Sequence, residues 1–341
     1  FEWRHLGRAR PKKSGVLFGA KRRESCRVFT GAKRRECFWD YIAESWRNGE
    51  KNIYGRMDLS YDGEGPAKLL EYNADTPTTL YESSVFQWEW LEQAMEKGLI
   101  PDGCEQFNDL HDSIVKAFSI VDFDGSLHFS CVGDIEDDKG TVDYLEECAR
   151  EAGLSTCFLS IQEIGIDDRG CFTDLDDQVI KTLFKLYPWE WMFEEEFGRR
   201  VPTSGTRFLE PPWKAVLSNK GLMAFLWEMF PGHPNLLPAY FDGDRRASEL
   251  AGSFVRKPLL SRQGANVQII HEGKTQTRSE GPYGDGDHIL QAYHPLPEFS
   301  GNYPLVGCWL VGSQAVGMCI REDQNLVTSR DANFIPHVIL D

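Results

Sequence analysis

The stretch from Gly55 to Thr79 constrains this chain more than any other. Arg56 to Tyr61 alternates, with Arg56, Asp58 and Ser60 on one side and Met57, Leu59 and Tyr61 on the other. That period of two is the signature of a strand. Asp62-Gly-Glu-Gly-Pro66 is turn chemistry, and Lys68 to Asn73 returns as a second strand. A turn centred near Glu64 sets Asp58 opposite Glu71 and Arg56 opposite Asn73. Glu71 and Asn73 share a face, so one arginine, two carboxylates and one amide converge on one patch. Directly opposed side chains come within about 5 Å at Cβ. Carboxylates that close repel unless a cation or proton sits between them. All-oxygen ligands on a rigid sheet suit Mg²⁺, which keeps waters and takes substrate phosphates as further ligands. The same residues also fit a solvated hairpin face with ordinary surface charge, and a slip of one residue would scatter them.

Composition bounds what such a hairpin can belong to. The chain has 341 residues, 41% apolar and 12% aromatic, which is globular and long enough for a large core. No run of about 18 apolar residues occurs, so no membrane span is expected. The first residues show no basic-then-apolar signal segment. Nine cysteines form no C-x-x-C pair, which fits reduced thiols and a cytoplasmic location better than a zinc site or a disulfide framework.

Net charge is −16, yet residues 1–37 hold twelve basic and three acidic residues, leaving −25 on the rest. Such a body repels nucleic acid and anionic membrane, so no partner of either kind is expected. It favours a cationic ligand such as a polyamine. Within residues 1–37, Gly19-Ala-Lys-Arg-Arg-Glu24 recurs as Gly31-Ala-Lys-Arg-Arg-Glu36. The expectation is a poorly ordered or non-native basic leader, with a basic arm for an acidic partner as the other reading. Residues 38–341 form the body.

Along the body, Phe38 to Trp46 reads as a short helix with its aromatics inward. A helix from Leu80 to Lys97 is expected after the hairpin, with Pro77 in its first turn and Phe86, Trp90, Leu91 and Met95 as apolar positions. Its N-terminus would offer N–H groups and the hydroxyls of Thr76 and Thr78 to an anion, or those threonines would only cap it. Phe107 to Phe118 is a helix, Leu127 to Val132 a strand, Asp134 to Ala152 a helix and Ser155 to Ser160 a strand. That is a right-handed β-α-β unit of a small parallel sheet. Asp134, Glu136, Asp137 and Asp138 sit at the carboxyl end of its first strand, where open α/β sheets bind ligands, although acids also simply favour a helix start.

Thr173 to Tyr187 reads as strand, turn and helix, 198–212 as loop, and Pro212 to Phe230 as helix broken at Ser218-Asn-Lys-Gly221. Ser253 to Pro258, a loop Leu259 to Ala265 and Asn266 to Ile270 resemble a phosphate-covering flap. Ile289 to His294, Leu305 to Val311, Gln314 to Ile320, Asn325 to Ser329 and Phe334 to Leu340 are strands. The fold class is therefore α+β or α/β, with a parallel β-α-β unit and a largely antiparallel C-terminal half.

Five segments resemble the glutathionylspermidine synthetase family of ATP-grasp acid–amine ligases, in order, over residues 39–341: Leu70-Glu-Tyr-Asn-Ala-Asp-Thr-Pro-Thr, Leu217-Ser-Asn-Lys-Gly-Leu, Phe254-Val-Arg-Lys-Pro, Gln291-Ala-Tyr and Gly317-Met-Cys-Ile-Arg-Glu-Asp. The resemblance is strongest to the stand-alone acid–amine ligases of that family. The amidase domain some members carry ahead of the synthetase is not matched, and residues 1–37 stand where the usual start of the synthetase region would be.

The resemblance implies an ATP-grasp fold, with ATP and Mg²⁺ as cofactors. It makes Arg56 and Arg321 catalytic and Asp58, Glu71 and Asn73 magnesium ligands. It places ATP on Arg56, Met57, Asp58, Lys220, Lys257, Gln263, Gly264, Gln291, Ala292, Tyr293, Leu326, Val327 and Thr328. Thr76 and, beside it, Thr78 would meet the acid substrate, and Glu136 or Asp137 the amine.

The implied reaction joins an acid, such as glutathione or another peptide, to an amine, such as a polyamine. A carboxylate attacks the γ-phosphate of ATP, and the amine then displaces phosphate from the acyl phosphate. Bringing anion to anion calls for cations. Arg56, Lys220, Arg256, Lys257, Arg262 and Arg321 are expected in one cleft. The second reading is an ATP-binding or ATPase module that acts through a partner without ligase activity. A third is a chain that its altered N-terminus leaves unable to fold or act.

Overall fold

The computed structural model describes residues 38–121 and 124–340. The basic leader expected over residues 1–37 lies outside them. Helix α1 (Trp39–Arg47) precedes the hairpin strands β1 (Tyr54–Ser60) and β2 (Lys68–Asn73). A π-helical segment, Glu82–Phe86, leads into α2 (Gln87–Glu96). Then come α3 (Leu110–Ser119), β3 (Leu127–Cys131), α4 (Glu136–Glu151), β4 (Thr156–Phe158), β5 (Gly165–Ile166), β6 (Phe172–Thr173), β7 (Thr182–Leu186) and α5 (Trp189–Met192). Next are β8 (Arg207–Leu209), α6 (Lys214–Leu217), α7 (Gly221–Met229), β9 (Ala239–Phe241), β10 (Phe254–Pro258), β11 (Gln268–His271) and β12 (Lys274–Arg278). The described chain finishes with β13 (His288–Ala292), β14 (Tyr303–Val311), β15 (Gln314–Asp323) and β16 (Asn333–Ile335).

Three principal sheets result. One is antiparallel, ordered β16-β15-β14-β1-β2, and a second antiparallel sheet is ordered β12-β11-β10-β13-β9. The third, β4-β3-β7-β8, is parallel throughout. The mixed α/β class expected from sequence is the one found.

All five residues of β3 and all five of β7 are buried, as parallel strands covered on both faces must be. Helix α4 lays Val142, Tyr144, Leu145, Cys148 and Ala149 on this sheet. Phe129 meets Phe118 and Phe184 at ring separations of 6.1 and 5.4 Å. The same core takes in Tyr54 and Trp309, stacked 6.1 Å apart, so the hairpin sheet and the parallel sheet share one apolar interior. The far side of the hairpin, Met57, Leu59 and Leu69, packs instead against α7 and the second antiparallel sheet. The hairpin is thus wedged between the other two sheets.

Several sequence expectations fail for local reasons. Thr182–Leu186 is strand, not helix: Lys185 breaks the apolar run in sequence but lies fully buried, with its ammonium answered by Asp75. The expected loop 198–212 holds a 3-10 segment, Phe197–Thr203, and strand β8. Asn325 to Ser329 is not a strand but wraps the Asp323 carboxylate, which accepts from Asn325 N, Ser329 N and Ser329 Oγ. Pro77 precedes the helix rather than opening it, because Thr79 sits at φ 67° and only then does the helix begin. Leu91 is buried as expected, but Phe86 and Trp90 face outward, as does Trp46. Among the described residues no helix is long and apolar enough to cross a membrane.

Candidate active site

Strands β1 and β2 pair with Arg56 opposite Asn73 and Asp58 opposite Glu71. The register expected from sequence is the observed one as far as Asp58. Beyond it a bulge shifts the pairing, so Leu59 faces Leu69. On the other edge of β1, Gly307 lies opposite Asp58. A Cβ at Gly307 would come within 2.8 Å of Arg56 Cδ and 2.7 Å of Cys319 Sγ, so only glycine lets the arginine lie flat across the sheet.

Arg56 grips Asp58 with both ends of its fork, Nε to Oδ1 at 2.7 Å and Nη2 to Oδ2 at 3.2 Å. Its Nη1 donates to Thr78 O at 2.6 Å and to Thr79 Oγ1 at 2.9 Å. The guanidinium lies 5.4 Å from the Trp309 ring centroid. Arg321 Nη2 reaches the same carboxylate, Asp58 Oδ2, at 3.0 Å. Asn73 Nδ2 bridges Asp58 Oδ2 and Glu71 Oε1 at 3.1 and 3.2 Å. Lys220 Nζ stands 2.9 Å from Glu71 Oε2 and donates to Ser261 O at 2.6 Å. Lys257 Nζ donates to Leu70 O at 3.2 Å and Gln291 Oε1 at 2.8 Å.

Electrostatics follow from this crowding. Burial works against ionised Glu71, but Lys220 and Lys257 outweigh it and hold the carboxyl at about 2. Burial pushes Lys257 down to about 8, with Lys220 adding to the effect and Glu71 opposing it. Arg321 is lowered by burial and by Arg56, against the pull of Asp58. Four cations therefore surround two carboxylates, a surplus that a polyanion would satisfy.

These groups line a cleft of about 390 Å³. Thr76, Thr78, Asp137, Gln263, Gly264, Gln291, Ala292, Tyr293, Leu326, Val327 and Thr328 line it as well. Met57 does not: alternation turns its side chain to the opposite face of β1, against the α7 core. Glu136 does not either, one position short of Asp137 and Asp138, which do. Arg256 lies outside the cleft, paired with Asp242 at 2.8 Å, because its neighbour Lys257 takes the inward face of β10. At one end Leu70, Val255, Val267, Ile269 and Leu305 make an apolar slot. At the other, Asp137 and Asp138 follow the carboxyl end of β3, while Pro188 and Trp191 follow that of β7.

Donor chemistry at the hairpin fits magnesium. Asp58, Glu71 and Asn73 carry oxygens of the hard kind magnesium takes on one sheet face. Here the carboxylates are held by Arg56, Arg321 and Lys220, and Asn73 turns its Nδ2 to them. An ion would take the place of those contacts as bound phosphates engage the cations.

Sequence reasoning missed the buried scaffolding. Asp75 accepts from Lys185 Nζ at 2.8 Å and Trp189 N at 2.9 Å. Glu210 pairs with Lys214 at 2.6 Å and accepts the N–H groups of Ile53 and Tyr54 at 2.9 and 3.0 Å. Arg262 lines the cleft as expected, but its ties to Glu190 at 2.5 Å and to Thr76 Oγ1 at 2.6 Å were not foreseen. Only the i,i+4 spacing of Glu210 and Lys214 was visible beforehand; the other partners are far apart in sequence.

A glutathione synthetase-like effector of Globodera pallida superposes with a TM-score of 0.55 at 10% identity, over 92% of this chain and 84% of that one. That likeness shows the fold; the class, a carbon–nitrogen ligase of the ATP-grasp type, comes from the family match and from relatives named as ligases and synthetases. Residues 27–340 match the profile described as glutathionylspermidine synthase preATP-grasp, and the chain belongs to that family. A Haemophilus influenzae protein named "Putative acid–amine ligase" is 44% identical over 87% of this chain and 77% of its own length. Trypanothione synthetase of Crithidia fasciculata is 28% identical over 91% of this chain, which spans 50% of that protein.

Proposed function

We propose that this protein joins a carboxylic acid to an amine at the expense of ATP and Mg²⁺, through an acyl phosphate. The observation that carries the reading is the surplus of Arg56, Arg321, Lys220 and Lys257 over Asp58 and Glu71 in one cleft. A scaffold would balance its charges; a site for a polyphosphate leaves cations over.

The adenine would occupy the apolar slot beside Gln291 to Tyr293, with the phosphates running toward the hairpin. Magnesium, held by Asp58, Glu71 and Asn73, would neutralise phosphate charge as a Lewis acid. Lys220 and Lys257 would meet phosphate oxygens. Arg56 and Arg321 would lie where the acid's carboxylate oxygen attacks the γ-phosphorus and ADP leaves. Their fixed guanidiniums would spread the charge that builds there without reorganising. A neutral amine would then attack the acyl carbon, with the same arginines on the departing phosphate. Water must be kept out during that step. Gln263-Gly264 and Leu326-Val327-Thr328 meet over the cleft and would serve that purpose. The acid would bind beside Thr76 and Thr78, with glutathione or another short peptide as the first class to try.

The test is incubation with ATP, Mg²⁺ and pools of acids and amines, reading ADP and amide mass. ADP release that needs both partners, with an amide product, is expected. ADP release with no amide across the pools would favour the ATPase reading and defeat this one.

A further inference from the structure

We propose that Asp323 is a positioning residue for the nucleotide: its buried carboxylate fixes the turn that carries Leu326, Val327 and Thr328 over the cleft. This rests on the reading of the cleft as an ATP site, and it concerns a residue that does not itself line that cleft.

Residues 324–329 lie between β15 and β16 in neither helix nor strand. A segment of that kind has no ladder to hold it and must find other partners for its N–H groups. Asp323 supplies them. Its Oδ1 accepts from Asn325 N and Asn325 Nδ2, both at 2.9 Å. Its Oδ2 accepts from Ser329 N at 2.9 Å and from Ser329 Oγ at 2.6 Å. One oxygen takes the start of the turn and the other its end, so a single carboxylate closes the neck. Asp323 is 9% exposed. Burial works against its charge, yet the bonds from Ser329 and Asn325 outweigh that and hold the carboxyl below the usual range. It therefore stays an anion with four donors on it in the neutral range.

Strand alternation sets which way the turn falls. Arg321 and Asp323 are two apart on β15 and share a face. Arg321 reaches Asp58 from that face. The turn folds back over the same side, where Leu326, Val327 and Thr328 line the cleft. Val327 and Thr328 are also what the opposite loop meets at Gly264. The turn is thus the fixed half of the roof, and Asp323 sets its height. An asparagine at 323 would keep one acceptor oxygen and bring an amide nitrogen against the other pair of donors. The neck would open at one end, and the cleft's wall of Leu326, Val327 and Thr328 would lose its fixed place.

The experiment uses the full chain with Mg²⁺ and a non-hydrolysable ATP analogue, read by titration calorimetry. Asp323→Asn should weaken the analogue about tenfold, the scale of one charge-assisted hydrogen bond. Ser329→Ala, which removes only the hydroxyl donor, should weaken it about threefold, and Ser329→Thr, which keeps that donor, should restore it. In turnover, KM for ATP should rise by the same factors, while kcat at saturating ATP and KM for the acid move less than about twofold. A fall in the unfolding midpoint with analogue affinity unchanged would make Asp323 merely structural and overturn the inference. If Asp323→Asn does not fold, the Ser329 pair decides alone: equal affinity for Ser329→Ala and the wild type overturns it. Analogue affinity that responds to these variants in a chain that forms no amide supports this inference and defeats the ligase reading alone. A wild-type chain that does not bind the analogue overturns both.

Discussion

Two regions of this molecule bury charge, and they do it differently. Beneath the parallel sheet, Asp75 with Lys185 and Glu210 with Lys214 are closed pairs, each side chain no more than 1% exposed. Every cation there has its anion, and the spare valences go to backbone groups such as Trp189 N and Tyr54 N. At the hairpin, two carboxylates face four cations and the group opens on a cleft. Closed pairs hold a shape; an unbalanced group awaits a ligand. The two are mechanically joined, because Glu210 fixes the backbone of Ile53 and Tyr54 at the root of the strand that carries Arg56 and Asp58.

The sharpest way to break this comparison is to unbalance a closed pair. Lys214→Met leaves Glu210 buried without its cation and should destabilise by about 3–5 kcal/mol, read by denaturant unfolding. A loss under about 1 kcal/mol would show that the pair is not sealed. At the hairpin a change that keeps the shape should strike turnover harder than the fold. Asp58→Asn, which leaves an oxygen for Arg56 and Arg321, should lower kcat by about 10²–10³-fold with a smaller loss of stability than Lys214→Met, and turnover at near the original rate would refute the site.

A smaller effect concerns pH. On the proposed reading Lys257 would bind phosphate in its protonated form, and burial has pushed it down to about 8. Affinity for ATP should therefore be full below that value and fall as pH rises through it, unlike that of an exposed lysine, which would hold to about 10. Lys257→Arg, which stays protonated, should remove this alkaline limb in a KM-against-pH profile. Glu71 stays ionised down to about 2, so it contributes no limb in the working range. The smallest effect expected is that of Arg256→Ala. Its pairing with Asp242 is surface-exposed, and both stability and KM for ATP should move within about 0.5 kcal/mol.

The hairpin was legible in sequence because its information is local: strict alternation, a turn rich in glycine, and a returning strand fix the register among neighbours. Bulge and scaffold were not. The pairing shift after Asp58 needs the β14 and β2 partners on both sides. Strand β7 read as helix because Lys185 in Thr-Leu-Phe-Lys-Leu looks like a solvated position, and what makes it a core residue is an aspartate 110 positions earlier. Met57 and Glu136 were placed at the site by the resemblance and Arg256 by its charge, and each sits on a different face or turn from the neighbour that lines the cleft. The π-helical segment at Glu82–Phe86 also rotated the apolar face expected of the following helix, which left Phe86 and Trp90 outside.

Gly264 holds φ 69°, and a methyl group there would lie 2.7 Å from Val327 Cγ1 and 2.8 Å from Thr328 O. The roof over the cleft is therefore a seam at which one chain segment rests directly on another's peptide. Its clearance is set by the Val327 side chain and the Thr328 carbonyl together. If the cleft holds a nucleotide as proposed, a side chain at position 264 would hold the two segments apart and should shorten the stay of products.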